Sequence, residues 1–188
     1  PCGDKCYNMW NGFSLERVQA DDDPEALQIV LHYIKTLVKN DEAVYQYMLD
    51  WIASIIQKPG VKHGTAILLY SVQQGSGKTT LPVLLSKLVG ENMFLQTSDP
   101  ANTLYGQFNK SRENRLLINV EENSAMTAFA NNDKIKSMIT ERDYICNEKC
   151  VTSYKARCLA RFIFTTNSMN SINISVDDRR FVAIDVSH

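Results

Sequence analysis

The feature that most constrains this chain is an apolar run that leads directly into a glycine loop. Residues 66–69 are aliphatic, the loop closes on Gly75-Ser76-Gly77-Lys78-Thr79, and a helical pattern follows. This order predicts a strand, a loop and a helix within an α/β domain. The N–H groups of such a loop and the positive end of the helix surround an anion, above all the phosphates of a nucleotide.

Seven consecutive residues are predicted to contact the nucleotide: Gln74, Gly75, Ser76, Gly77, Lys78, Thr79 and Thr80. Lys78 reaches the β and γ oxygens of ATP, and the hydroxyl of Thr79 holds Mg²⁺. The full signature has a further glycine where this chain has Val72. Because a β-branched residue does not easily take a positive φ, we expect the entry to the loop to differ. The alternative is a glycine turn between a core strand and a core helix.

Two adjacent carboxylates, Glu121 and Glu122, end a second apolar run, 43 residues after Lys78 in the case of Glu121. Residues 115–122 are predicted to form a buried strand, and parallel sheets bind ligands at the carboxyl ends of their strands. Glu121 is placed to hold Mg²⁺ through water, and Glu122 to orient or deprotonate the attacking water. A solvated strand exit is the alternative.

A third strand is predicted at residues 160–167, and it ends in Asn167. The amide of Asn167 can hydrogen-bond the γ-phosphate or the attacking water from the neighbouring strand. The alternative is an asparagine that merely ends a strand in a turn.

Arg179 and Arg180 precede a further strand, predicted at residues 181–185. A guanidinium supplied to the γ-phosphate of a neighbouring subunit neutralises charge in the transition state. The alternative is an arginine pair that binds the nearby carboxylates of Asp177 and Asp178, an interaction that contributes little at a surface.

Residues 143–155 have the pattern of a β-hairpin, with a polar turn at Asn147-Glu148-Lys149. The net charge of residues 146–161 is +3, whereas that of the whole chain is −1. Lys149 at the tip, with Lys155 and Arg157 on the stem, is predicted to grip single-stranded DNA from the central hole of a ring. An ordinary solvated hairpin is the alternative.

The remaining pattern alternates helices with strands. Apolar spacing predicts helices over 25–39, 41–58, 78–88 and 102–110 and a short strand over 93–96, with Asp23 capping the first helix before Pro24. We therefore predict an α/β fold with a mostly parallel sheet between helices, preceded by a small helical segment. The chain divides into a lead-in and helical segment, 1–60, and a core, 61–188.

Composition restricts the environment and the partners. The chain has 188 residues and a pI of about 6.4, so any nucleic-acid contact is local. No apolar run is long enough for a membrane span. Five cysteines, an odd number, favour a reducing intracellular compartment, although Cys2/Cys6 and Cys146/Cys150 leave a zinc site open as an alternative. Because the chain begins at Pro1 without a methionine, we expect it to be a piece of a longer protein.

The order of these motifs resembles that of the superfamily 3 helicases of viruses and phages, in particular the poxvirus-type and phage primase-helicases. The matching segments lie at 75–80, 116–122, 143–155, 164–167 and 178–181, together with a lead-in at 7–13. The resemblance implies an AAA+-like P-loop NTPase core, a hexameric ring, ATP hydrolysis between subunits and translocation on single-stranded DNA. It also implies a primase upstream in the same protein.

The resemblance further assigns roles to single residues. It makes Asn167 the sensor and Arg179 or Arg180 the arginine finger, with Arg180 preferred because it directly precedes the strand. Lys62 is an additional candidate for a phosphate contact. Two other functions stay open: a ring ATPase that acts on a different substrate, and a nucleotide-binding assembly module that hydrolyses ATP poorly.

Overall fold

The computed structural model describes residues 12–13, 23–73, 75–122, 125–167, 174–175 and 177–187. The helices are α1 (Pro24–Leu37), α2 (Glu42–Gln57), α3 (Thr80–Val89), α4 (Pro100–Thr103) and α5 (Ala125–Thr140). The strands are β1 (Ala66–Tyr70), β2 (Phe94–Thr97), β3 (Leu117–Glu122), β4 (Asp143–Cys146), β5 (Tyr154–Arg157), β6 (Arg161–Thr166) and β7 (Phe181–Asp185). No helix in these ranges is both long and apolar enough to cross a bilayer.

Five strands form a sheet in the order β2-β3-β6-β1-β7, and every neighbouring pair is parallel. The predicted parallel sheet between helices is therefore confirmed. Its register aligns the ends of four strands, because Glu122 pairs with Thr166, Thr166 with Tyr70, and Tyr70 with Asp185. The segments that follow β1, β3 and β6 consequently leave the sheet at the same edge.

Helices cover both faces of the sheet. Helices α1, α2 and α3 pack on one face, against a core that includes Ile67, Leu69, Leu117 and Ile163. Helix α5 packs on the other face, whose core contains Leu68, Ile118, Val120, Phe162 and Phe164. Successive side chains of a strand point to opposite faces, which accounts for this division.

The first two helices begin as the sequence predicts. The carboxylate of Asp23 accepts a hydrogen bond from the N–H of Ala26, and Pro24 stands in the first turn of α1. Asp41 caps α2 in the same way, since it accepts from the N–H groups of Ala43 and Val44. These caps satisfy N–H groups that have no partner within the helix.

The carboxyl end of α2 is closed by an arginine from the sheet. The guanidinium of Arg161, which is 1% exposed, donates hydrogen bonds to five backbone carbonyls: those of Ser54, Lys58, Pro59, Val61 and Leu159. Burial lowers the pKa of Arg161 to about 10. Arg161 was counted in the predicted positive charge of the hairpin, but its charge is not available to a ligand because the guanidinium is enclosed.

The helix predicted at 102–110 is also wrong. Only the single turn of α4 forms there, and the chain then runs irregularly to a short 3₁₀ helix at Lys110–Arg112. The reason is a close approach at Gly106, where a Cβ atom would lie 2.6 Å from the carbonyl oxygen of Ala101. A side chain at this position would collide with the backbone, so the chain folds back on α4 instead of continuing it.

Strands β4 and β5 form the predicted hairpin, antiparallel and separate from the main sheet. Its connection spans residues 147–153, longer than the three-residue turn predicted. The side chain of Asn109 explains the difference, because it bonds the carbonyl of Ile145 at 3.0 Å and the N–H of Asn147 at 2.8 Å. Asn147 is thus held against residues outside the hairpin and is not free to turn.

Candidate nucleotide site and nucleic-acid interface

The glycine loop connects β1 to α3 and takes the backbone conformation that glycine permits. Gly75 and Gly77 have φ angles of 77° and 83°, both in the left-handed region. Val72 is not among the residues with positive φ, and its side chain is 78% exposed. The loop entry is instead closed by Ser71, whose hydroxyl accepts from the N–H of Gln73 at 3.1 Å. The departure from the glycine signature is therefore accommodated without backbone strain.

The polar side chains of the loop make few hydrogen bonds with the described residues. The ammonium of Lys78 is 3.5 Å from the carbonyl oxygen of Gln73, the outer limit of a hydrogen bond. Thr79 stands at the N-cap of α3, and its hydroxyl makes no capping bond. The buried hydroxyl of Ser76 has no hydrogen-bond partner among the described residues. Gln74 lies outside the described residues, so its predicted contact stays a prediction.

A tyrosine of α1 touches the loop, and sequence reasoning missed it. The hydroxyl of Tyr33 donates to the carbonyl of Gly77 at 3.0 Å. Burial raises the pKa of Tyr33 to about 12, so the phenol is a neutral donor at physiological pH. Tyr33 also borders a cavity of about 190 Å³ between α1 and the loop, lined in addition by Thr36, Leu37 and residues 75–77. Its spacing from Val30 and Leu37 was the only signal in the sequence.

The acidic strand β3 brings Glu121 to the same side of the sheet as the loop helix. Leu117 belongs to the core beneath α3, and alternate residues of a strand share a face, so Glu121 lies on that face as well. Its carboxylate accepts a hydrogen bond of 2.9 Å from the amide of Gln96. Glu122 ends the strand at the register of Thr166, and its side chain is outside what the structure describes.

Strand β6 lies between the loop strand and the acidic strand, and Asn167 follows it directly. Tyr70 and Glu122 are both paired with Thr166, so their Cα atoms are two strand spacings apart, about 10 Å. Asn167, which is exposed, therefore leaves the sheet between the start of the loop and the end of the acidic strand. The strand ends bring three of the predicted site segments together at one edge.

The two arginines lie at the opposite end of the strands, where β1 and β7 begin. Arg180 directly precedes β7, and its carbonyl accepts from the N–H of Ala66, the first residue of β1. The length of β1, about 13 Å between its end Cα atoms, separates this position from the loop. Arg179 and Arg180 are thus not brought to the loop of their own chain.

The two guanidinium groups differ in their partners. Arg180 pairs with Asp178 at 3.1 Å, and the other carboxylate oxygen of Asp178 is 2.9 Å from the ammonium of Lys136 on α5. Burial raises the pKa of Asp178, but its hydrogen bonds with Lys136 and Arg180 outweigh this effect and lower it. Arg179 is exposed and has no hydrogen bond or ion pair with any residue in the described ranges. The choice of Arg179 or Arg180 as the finger stays a prediction.

The hairpin carries its predicted cations in three different settings. Lys149 is exposed in the connection, Lys155 pairs with Asp143 at 3.0 Å, and Arg157 is exposed on the stem. Lys62, the additional phosphate candidate, lies before β1 at the edge away from the loop. Its ammonium donates to the carbonyl of Met138 at 2.6 Å and to the sulfur of Cys158 at 2.8 Å, and its contact with a phosphate stays a prediction.

Two of the four cysteines of the zinc alternative lie among the described residues. Cys146 is buried, Cys150 is exposed, and Cys2 and Cys6 are outside the described residues. Among the residues that are described, no three histidine, cysteine, aspartate or glutamate side chains cluster as metal ligands.

The family of the chain follows from a match to a family model. A family model described as a family of unknown function, DUF5906, matches residues 69–180. This chain belongs to the DUF5906 family. The matched region of DUF5906 begins within β1 and ends at Arg180, so it contains the glycine loop, both glutamates, the hairpin and Asn167. Tyr33 lies outside it.

A curated relative of this DUF5906 chain is the DNA primase-polymerase of Nitratiruptor phage NrS-1, 28% identical over 190 residues. The match covers 99% of the chain but 26% of the relative, so the chain spans about a quarter of that protein's length.

Two solved structures have the same fold. The apo A form of the NrS-1 C-terminal region is 25% identical with a TM-score of 0.75, covering 94% of this chain and 40% of that one. The apo structure of NrS-1 residues 305–718 is 23% identical with a TM-score of 0.73, covering 93% and 40%. The chain is therefore related to a phage replication protein, and its fold is that of part of the C-terminal region.

Proposed function

We propose that this chain is the ATP-driven motor domain of a phage-type replication protein, a P-loop NTPase that moves single-stranded DNA. The observation that carries the proposal is the common edge of the sheet, where the glycine loop, Asn167 and the two glutamates leave three adjacent strands. A phosphate binds at the loop, and groups that act on its terminal phosphoryl must come from the neighbouring strands.

The loop has the donors that a triphosphate needs. Its glycines hold the backbone in the left-handed conformation that exposes consecutive N–H groups, and Ser76 keeps a buried hydroxyl without a partner. Among the described residues, Lys78 makes one long hydrogen bond to the loop, so its ammonium can exchange this bond for phosphate oxygens. These features favour a ligand-binding loop over a purely structural turn.

The remaining groups fit a hydrolytic role. Thr79 and Glu121 provide the oxygen ligands that Mg²⁺ prefers, and the ion would neutralise charge on the phosphates. Glu122 would orient the attacking water, and Asn167 would hydrogen-bond the water or the γ-phosphate. The chemistry of these residue types suits Mg²⁺ and ATP together.

The position of the arginines supports hydrolysis between subunits. Because Arg179 lies at the edge away from its own loop, its guanidinium serves as a finger only in a neighbouring copy. We therefore propose Arg179 as the finger and Arg180 as a residue that supports it through Asp178. The proposed assembly is a closed ring, hexameric by the resemblance, with an upstream primase in the complete protein.

DNA binding is proposed for the hairpin, whose tip residue Lys149 is exposed and makes no ion pair with a described residue. The related phage protein is a DNA primase-polymerase, which favours DNA over another substrate. The rival proposal, a ring ATPase with a different substrate, shares every residue of the nucleotide site and differs only here.

The test is ATPase activity of the chain with and without single-stranded DNA, at concentrations where size-exclusion chromatography reports the oligomer. We expect Mg²⁺-dependent hydrolysis that DNA stimulates. Lys149→Ala should retain basal hydrolysis and lose strand displacement, whereas Lys87→Ala, an exposed lysine paired with Glu91, should lose neither. Hydrolysis at the same rate with and without DNA would favour a ring ATPase with a different substrate. No hydrolysis by the assembled ring would favour the nucleotide-binding assembly module.

A further inference from the structure

A second group of cations lies at the base of the hairpin, away from the glycine loop. A cavity of about 280 Å³ opens there, between the segment before β1 and the two ends of the hairpin stem. Its lining residues are Gly60, Val61, Lys62, Arg142, Arg157, Cys158 and Leu159. Three of them are cations and none is a carboxylate, so the cavity has a concentrated positive charge in a chain whose net charge is −1.

The two arginines of the cavity are available to a ligand. Arg142 and Arg157 are both exposed, and neither makes an ion pair with a residue that the structure describes. They flank the hairpin symmetrically, because Arg142 immediately precedes β4 and Arg157 ends β5. A hydrogen bond of 2.8 Å from the N–H of Cys158 to the carbonyl of Arg142 holds the two sides together.

The nearby carboxylates are already engaged. Asp143, which is opposite Arg157 in the hairpin register, forms its ion pair with Lys155 at 3.0 Å. Glu141 pairs with the guanidinium of Arg112, which is 6% exposed. The charge of the cavity is therefore not cancelled by the acids beside it.

Lys62 forms the inner wall of the cavity. Two of the three protons of its ammonium have acceptors, the carbonyl of Met138 and the sulfur of Cys158, and the group lies over the ring of Phe162. Burial lowers the pKa of Lys62, which means that its charge is poorly solvated in the folded chain. An anion in the cavity would offset that cost, and oxygen atoms of a phosphate accept from both ammonium and guanidinium groups.

We propose that this cavity binds a backbone phosphate of single-stranded DNA, through Arg142 and Arg157 at its mouth and Lys62 at its inner wall. The inference rests on the proposed function, in which the neighbouring cations of the hairpin bind DNA. DNA is therefore the source of the phosphate. Lys155 and Arg157 are two residues apart on β5 and both are exposed, so their side chains lie on the same face of the hairpin. The cavity therefore adjoins the face that carries these cations. The DNA contact then extends from the hairpin tip to its base.

The test uses the variants Arg142→Gln and Arg157→Gln, which change exposed side chains and leave Lys62 and the core intact. Binding of a fluorescently labelled oligothymidylate is measured over a range of salt concentrations. Each substitution should weaken binding about threefold to tenfold and lower the slope of log affinity against log salt by about 0.7. Lys87→Gln, which removes the same charge from α3, should leave both the slope and the basal ATPase activity unchanged.

The outcomes separate this inference from the proposed function. If the native chain binds DNA and both arginine variants bind it with unchanged slope, the cavity is not a DNA site and the proposed motor stands. If the native chain binds no DNA, both fail. A second arm titrates inorganic phosphate by calorimetry: phosphate binding that the arginine substitutions remove, without any loss of DNA affinity, would assign the cavity to a free anion and overturn the inference.

Discussion

Tyr33 and Gly77 are joined by a hydrogen bond of 3.0 Å, so a helix that precedes the sheet holds the backbone of the glycine loop. The same carbonyl of Gly77 accepts from the N–H of Thr80 at 2.9 Å. The loop is therefore fixed at the glycine directly before Lys78 by two donors, one of which comes from outside the strand–loop–helix unit.

Tyr33→Phe should weaken ATP binding, because it removes the phenolic donor and retains the packing of the ring. We expect a loss of stability of about 1 kcal/mol and an increase of a few-fold in the Kd for ATP. Calorimetry with ATP and urea unfolding measure the two effects. Tyr47→Phe is the matched control, since it removes the hydroxyl contact with Thr65, at the other end of β1. Equal ATP affinity in both variants would show that the bond does not organise the loop.

Lys78→Ala should reduce ATP hydrolysis by at least about a hundredfold, because no other cation of the loop is available to the γ-phosphate. Lys87→Ala, on the helix that follows the loop, should hydrolyse ATP normally. Steady-state phosphate release provides the measurement. Comparable rates for the native chain and Lys78→Ala would refute the nucleotide site.

Mixing two inactive variants should restore hydrolysis if the finger acts in a neighbouring subunit. Glu122→Gln removes the carboxylate proposed to orient water, and Arg179→Ala removes the proposed finger, so each variant alone should lose about a thousandfold in rate. A mixed ring contains interfaces where an intact Glu122 faces an intact Arg179. We expect the rate of hydrolysis to rise on mixing. If Glu122→Gln regains activity with Arg180→Ala and not with Arg179→Ala, Arg180 is the finger and Arg179 is not.

Arg161→Met should destabilise the fold strongly, because five carbonyl acceptors around the end of α2 would lose a charged donor. We expect a loss of about 3 to 5 kcal/mol, measured by urea unfolding. Arg157→Gln, an exposed arginine on the adjoining hairpin, should change stability by less than about 0.5 kcal/mol. Similar midpoints for both variants would contradict the capping role.

Asp178→Asn should make the chain less sensitive to acid. The folded-state pKa of Asp178 is lowered, so its contribution is complete above the unfolded value, about 3.9, and is lost as the pH falls through the folded-state value. The native chain should therefore be more stable than the variant at pH 7, and this difference should shrink below about pH 4. Urea unfolding at pH 7 and pH 3 provides the comparison, and a constant difference would exclude the ion pairs with Lys136 and Arg180 as its cause.

The sequence predicted the elements whose cause is local. Strand β1, the glycine loop and α3 follow from an apolar run, two glycines and helical spacing, and the cap of α1 follows from a single aspartate. The structure places these elements within one or two residues of the predicted bounds.

The features that were missed depend on contacts between distant parts of the chain. The turn after α4 is determined by the approach of Gly106 to Ala101, which no periodicity reveals. Arg161 was interpreted as a surface charge, although the end of α2 encloses it. The pairing of Arg180 with Asp178 is the local alternative that the sequence offered, whereas the contact of Asp178 with Lys136 of α5 joins distant parts of the chain.

The parallel sheet also restricts how copies of the chain can associate. One edge carries the loop and the other carries Arg179, so a contact that joins the two uses different surfaces on the two molecules. Repeated head to tail, such an interface is heterologous and closes into a ring or continues as an open series, whereas a two-fold dimer forms it only if the two contacts are reciprocal. Assembly through it is directional: each added copy leaves one incomplete site at the end of the series until a rotation brings the last copy back to the first.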